Sequence, residues 1–141
     1  MTSHEEHKDT KRAGNLENAV AQQIVDSAWK VHSTLGPGLL ESVYEIALTH
    51  ELRKRELFTE RQVPIPVIYD NIRFDEGFRA DLLVEKKVLV ELKSVDEIHP
   101  VHFKQTLTQL KMAKLKLGLL INFGDALFKN AIERIINGHL E

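Results

Sequence analysis

Three charged side chains stand where a buried strand pair ordinarily carries none. Gly77-Phe78-Arg79-Ala80-Asp81-Leu82-Leu83-Val84 and Val88-Leu89-Val90-Glu91-Leu92-Lys93 are two apolar runs joined by Glu85-Lys86-Lys87. Taking the joint as a three-residue loop pairs Val84 with Val88 and Leu83 with Leu89. Asp81 then lies opposite Glu91, with Cβ atoms roughly 5 Å apart. Strand alternation gives Lys93 the face of Glu91 and turns Leu92 to the other. A two-residue loop would instead leave Asp81 diagonal to Glu91, still within reach of a shared ion. Two carboxylates this close repel each other unless one stays protonated or a cation lies between them. A hard divalent ion such as Mg²⁺ relieves that repulsion, because it takes carboxylate and carbonyl oxygens and keeps several waters. Such an ion polarises a phosphoryl oxygen and acidifies water, while an ammonium beside it orients that water or neutralises developing charge. The chemistry expected is phosphodiester hydrolysis; the bland alternative is a surface hairpin with ordinary ion pairs.

Other candidates lie near this pair. Arg79, two residues before Asp81, shares its strand face and suits a phosphate or an acid partner. Glu41 offers a third carboxylate from an earlier helix, where Tyr44 sits three residues on and shares a face with it, close enough to brace it through its hydroxyl. Trp29 and Tyr44 read better as core than as base-stacking groups. His102 shares a helix side with Gln105 and Gln109 and so could touch a substrate, yet a lone histidine near a helix start is more often structural. His32 and His50 have no evident partners, and His4 with His7 lack the further ligands a metal site needs.

The elements that must position these groups follow from periodicity and breakers. Residues 1–15 are polar and aperiodic, which predicts a mobile tail ahead of one domain over 16–141. Leu16, Val20, Ile24, Ala28, Val31 and Leu35 mark an amphipathic helix, stopped by Gly36-Pro37-Gly38. A second helix over about 39–56 turns Leu40, Val43, Tyr44, Ala47, Leu48 and Leu52 inward. Residues 58–69, broken by Pro64 and Pro66, read as an irregular strand. Asp70-Asn71 is a turn, Ile72 to Phe74 a short return, and Asp75-Glu76-Gly77 a second turn before the hairpin. Pro100 opens a third helix to about Lys114, with Phe103, Leu107 and Leu110 as its buried stripe. Leu117 to Asn122 is a buried strand, and a last helix is expected over about 126–137, ending at Gly138. The order of elements predicts an α/β fold with helices on both sides of a mixed sheet.

At 141 residues, with 43% hydrophobic and 28% charged residues, the chain suits one domain with a real core. It offers no membrane-length apolar run, no apolar leader and no cysteine, so a soluble cytoplasmic protein without a membrane partner or thiol chemistry is expected. The formal charge of −2 argues against a basic protein that coats nucleic acid everywhere, leaving only local strips of lysine and arginine.

Gly38-Leu39-Leu40-Glu41-Ser42-Val43-Tyr44 matches the pattern that names the GxxExxY proteins. The likeness continues through Gly36-Pro37-Gly38, Arg61-Gln62-Val63-Pro64, Gly77 to Leu82, Val90-Glu91-Leu92-Lys93, Pro100-Val101-His102 and Gly118 to Phe123. The chain thus resembles that bacterial and archaeal family, itself similar to the PD-(D/E)XK nucleases. The resemblance implies a restriction-endonuclease-like core with a four-stranded mixed sheet flanked by helices. It implies Mg²⁺- or Mn²⁺-dependent cleavage of nucleic acid, with DNA the favoured polymer. Asp81 and Glu91 would be metal ligands, with the Leu92 carbonyl as a third oxygen and Glu41 completing the shell. Lys93 would position the attacking water. Gln105 would hold the lysine or the substrate backbone, while Gln109 stands where relatives commonly carry tyrosine, removing an aromatic platform. A chain this small buries little polymer alone, which leaves room for a homodimer or a partner protein. The rival reading is an inactive nuclease-fold scaffold that binds nucleic acid or protein.

Overall fold

A computed structural model describes the backbone of residues 2–139 and the side chains of residues 16–139. The first helix, α1, spans Thr2–Leu35, so its backbone begins before Leu16, where the apolar periodicity starts. The tail expected over residues 1–15, with His4 and His7, falls outside the described side chains. After Gly36 and Gly38, both at positive φ, the second helix, α2, spans Glu41–Lys54. Strands β1 (Thr59–Tyr69), β2 (Ile72–Val84) and β3 (Val88–Lys93) follow. Helix α3 (Pro100–Ala113) carries the chain over to β4 (Leu117–Asn122), and a short 3₁₀ turn leads to β5 (Ile132–Ile136).

The sheet has five strands in the order β1-β2-β3-β4-β5, one more than the four expected. Only β3 and β4 are parallel, as the helical crossover between them requires; the other neighbours are antiparallel. The extra strand replaces most of the anticipated last helix. The 126–137 segment has apolar spacing that suits a helix, but its Ile-Glu-Arg-Ile-Ile core is β-branched. Pairing Gly118 with Ile135 and Ile121 with Ile132 covers what would otherwise be the exposed edge of a fully buried strand.

Two apolar layers sandwich the sheet. On one side Ile24, Ala28 and Val31 of α1 with Leu48 and Leu52 of α2 pack on Leu82, Val90, Leu92 and Leu119. On the other, Leu110 of α3, with Phe103 and Leu107 beside it, covers Leu89 and Leu120. Because Leu89 lies under α3 and Leu92 under α1 and α2, strand alternation turns Glu91 and Lys93 to the α3 side.

Several expectations change here. Leu40 and Val43 are exposed, at 75% and 39%, and Trp29 at 58% is no core residue. Helix α2 starts only at Glu41, so Leu40 precedes it with extended backbone. The second turn at Asp75-Glu76-Gly77 does not form: β2 runs unbroken through it. A register shift between Ile65 and Val67, at Pro66, accommodates the longer strand. Gly77 is required there, since a Cβ would collide with the Val67 side chain. The Asp70-Asn71 turn forms as expected, with both residues at positive φ.

Candidate active site

The hairpin register is that of the three-residue loop: Val84 pairs with Val88, Leu83 with Leu89 and Leu82 with Val90. One step further the backbone ladder gives way to side chains. The Leu92 N–H donates to Asp81 Oδ2 at 2.8 Å, and the Asp81 N–H donates to Glu91 Oε1 at 3.3 Å. Each acid thus accepts from the main chain of the strand opposite, which fixes the two carboxylates beside each other. The Phe123 N–H donates to the Lys93 carbonyl, so the peptide groups of Lys93 face β4. Alternation then turns those of Leu92 toward β2 and the acids.

The environment of this pair disfavours charge. Burial pushes the Glu91 carboxyl up to about 8, with the Asp81 charge adding to it; the Asp81 N–H, Lys93 and the Gln109 side chain hold it down. Burial also raises Asp81, against hydrogen bonds from the Leu92 N–H and the Gln62 side chain, while Glu45 and Glu41 push the same way as burial. A buried acid and a half-buried one, both reluctant to ionise, make an oxygen donor set that a hard divalent cation fits. Among the described residues no group of three or more His, Asp or Glu side chains lies close enough together to hold a metal ion. The carboxylates assembled here are therefore two.

Glu41 stands exposed in the first turn of α2. Its charge reaches Asp81 and His102, so it borders the site without joining the pair. It lines a cavity of about 390 Å³ with Leu39, Leu40, Ser42 and Ser94, open beside the end of β3. Lys93 is half-buried on the Glu91 side, and its ammonium, after burial itself, helps keep His102 below its ordinary range.

Tyr44 is fully buried and serves the site indirectly, and it does not brace Glu41. Its hydroxyl donates to the Gly36 carbonyl and accepts the Leu39 N–H at 3.1 Å, while its ring stacks on Phe123 at 4.5 Å. It thereby fixes the loop that delivers Glu41. Ser94 Oγ ties the same loop to β3 by donating to the Leu39 carbonyl at 2.6 Å. Arg79 reaches the Gln62 carbonyl at 3.2 Å and pairs with no acid among the described residues. On α3 the two glutamines exchange the prominence expected of them: Gln105 is exposed, whereas Gln109 is buried and meets Glu91.

Three positioning residues went unnoticed in the sequence, and a fourth, His32, was seen there without a partner. Glu45, one turn after Glu41, is buried and holds Arg61 at 2.9 Å. Gln62 bridges Glu45 and Asp81. Asn122 is 2% exposed; its Oδ1 accepts the Val95 and Gly124 N–H groups and its Nδ2 donates to the Val95 carbonyl. This clasp pins the chain leaving Lys93 to the end of β4. His32, which had no evident partner, contacts the Asp125 carbonyl through Nε2 at 2.7 Å and packs against Phe128. A polar residue inside an apolar run was the available signal for Asn122.

No curated protein and no solved structure matches the chain. A family model does, across residues 18–135, which take in the C-terminal part of α1, all of α2 and α3 and nearly the whole sheet. With Asp81 and the Glu91-x-Lys93 strand pair inside that match, the chain belongs to the PD-(D/E)XK nuclease superfamily.

Proposed function

We propose that the protein is a divalent-metal-dependent nuclease that hydrolyses phosphodiester bonds in nucleic acid, with DNA the favoured polymer. The observation that carries this reading is the adjoining of two hard-to-ionise carboxylates, half-buried Asp81 and buried Glu91, with Lys93 on the strand of Glu91. Nucleases of this superfamily generally use divalent metal ions and act on nucleic acid. In this reading Asp81, Glu91 and the Leu92 carbonyl would hold Mg²⁺ or Mn²⁺. The ion, when bound, supplies Lewis acidity at the phosphoryl oxygen and a water of lowered pKa.

The remaining work falls to the chain. Lys93 orients the attacking water and offsets charge developing on the phosphate. Glu41, exposed at the mouth of the site, would add a third carboxylate charge near the ion. Arg79, anchored on the Gln62 carbonyl, keeps its guanidinium on the strand that leads into the site, where a substrate phosphate is expected. Gln109 holds Glu91 in place of the aromatic group that relatives carry, and Gln105 on the exposed face is left for the substrate backbone. The GxxExxY branch is supported by Gly38, Glu41 and Tyr44 together with the further matches along the chain. The sequence suits the cytoplasm, and a homodimer or partner protein would extend the small substrate surface. Residues 1–15 would form a tail outside the 16–141 domain.

An inactive scaffold of the same fold is the alternative, favoured by the formal charge of −2 and by Gln109. Incubating the purified protein with single-stranded, duplex and branched DNA and with RNA, with Mg²⁺ and with a chelator, separates the two. A nuclease cuts at least one polymer only when the ion is present. Survival of every polymer favours the scaffold.

A further inference from the structure

Across β1, β2 and β3 three polar side chains form one row: Gln62, Asp81 and Glu91. Arg61 pairs with Leu82 and Val63 with Ala80, which puts Gln62 directly opposite Asp81. Gln62 has φ of 52°, a left-handed backbone conformation that glutamine seldom adopts. That turn of the backbone accompanies a specific set of contacts. The Gln62 Nε2 donates to Glu45 Oε1 and, at 3.3 Å, to Asp81 Oδ1. An amide nitrogen has two hydrogens, and here two carboxylates take them.

Both ends of this bridge are anchored. Glu45 is buried on α2, and its other oxygen, Oε2, accepts from Arg61 Nε at 3.0 Å and Nη2 at 2.9 Å. Asp81 presents its other oxygen to the Leu92 N–H at 2.8 Å. The Gln62 main chain is held as well, through Arg79 on its carbonyl. Without the amide, Glu45 and Asp81 would face each other with no donor between them.

We infer that Gln62 is a positioning residue that, oriented by the Arg61–Glu45 pair, fixes the Asp81 carboxylate in the orientation required to bind a divalent ion. This rests on the reading of Asp81 and Glu91 as metal ligands. Its role is through Asp81, since neutral amide nitrogens donate and do not ligate cations. The row also makes β1 part of the site, although its strand carries no acid that would hold metal.

Two variants and two readouts test it. Q62G removes the amide while accepting the positive φ without strain, and Q62E keeps the shape but loses both donors at neutral pH. In metal-free protein, amide hydrogen exchange at Leu92 should accelerate about tenfold or more in both variants, the lower end of what such supporting contacts are worth. Exchange at Leu89 and Val90, deeper in the ladder, should stay at the wild-type rate, and Q62G should still melt cooperatively as a folded protein. By calorimetry with Mn²⁺ alone, both variants should bind about 10- to 100-fold more weakly than wild type. Wild-type Leu92 exchange in Q62G and Q62E would overturn the inference, as would undiminished Mn²⁺ affinity in them. If wild type itself binds no Mn²⁺ while Leu92 exchange still responds to the variants, the metal-dependent reading fails but the positioning of Asp81 by Gln62 stands.

Discussion

Glu91 is the residue whose protonation links the site to pH. Its carboxyl ordinarily titrates near 4.5 and is pushed up to about 8 by burial and by Asp81. A proton held more tightly in the folded than in the unfolded chain adds stability that is complete below about 4.5. That stability is lost as pH rises through about 8. Metal-free wild type should therefore lose on the order of a few kcal/mol of stability across that window. E91Q, which cannot ionise, should keep most of it, and denaturant midpoints measured at several pH values will show the difference. Divalent-ion binding has to expel the proton, so Mn²⁺ titrations near neutral pH in buffers of different ionisation enthalpy should reveal proton release that E91Q lacks. At this scale the sequence was informative where alternation alone decides: Asp81, Glu91 and Lys93 could be aligned by counting across a short loop. Gln62 was hidden because counting from the Asp70-Asn71 turn sets it opposite Arg79. Only the register shift between Ile65 and Val67 brings it opposite Asp81. Trp29 was misjudged because helical spacing identifies a stripe without fixing its rotation about the axis.

Among the elements, α2 and its entry loop show how a helix is aimed. The Tyr44 hydroxyl satisfies one main-chain acceptor and one donor in the Gly36–Leu39 loop from inside the core. Y44F should leave both without that partner and destabilise the protein by about 1–3 kcal/mol, measurable by urea unfolding. The ring stacking on Phe123 would remain, so the fold should survive and the loss should fall on the geometry of Glu41. N122A removes a clasp of three hydrogen bonds around Val95 and Gly124. It should cost more than Y44F, on the order of 3 kcal/mol or above, because a buried donor and acceptors lose their partners together. Helices α2 and α3 and strands β3 and β4 were readable from breakers and apolar stripes. Strand β5 was not, since its isoleucines suit either period, and the decision belongs to the open edge of β4. The continuous β2 was likewise concealed by turn-forming residues, Asp75-Glu76-Gly77, whose glycine answers instead to the Val67 side chain.

For the whole molecule, the mixed sheet clamped between α1 and α2 on one side and α3 on the other holds the acids at the point where β2 and β3 exchange side-chain for backbone pairing. Among the described residues no helix is long and apolar enough to cross a membrane. A formal charge of −2 leaves only local strips of lysine and arginine to meet phosphates. Nucleic-acid binding should therefore weaken with salt on a shallow slope, with log K against log salt of magnitude about 3 or less in fluorescence anisotropy. A steep slope would point to a basic surface contributed by another chain.

Whether Asp81, Glu91 and Lys93 form a metal-dependent hydrolytic centre is decided by a single-turnover cleavage assay started by adding Mg²⁺. Wild type should cut its preferred polymer, and Asp81→Ala and Lys93→Ala should each slow cutting by about 10²-fold or more while melting as folded proteins. Variants that cut as fast as wild type, or cutting that proceeds unchanged under chelator, would contradict it.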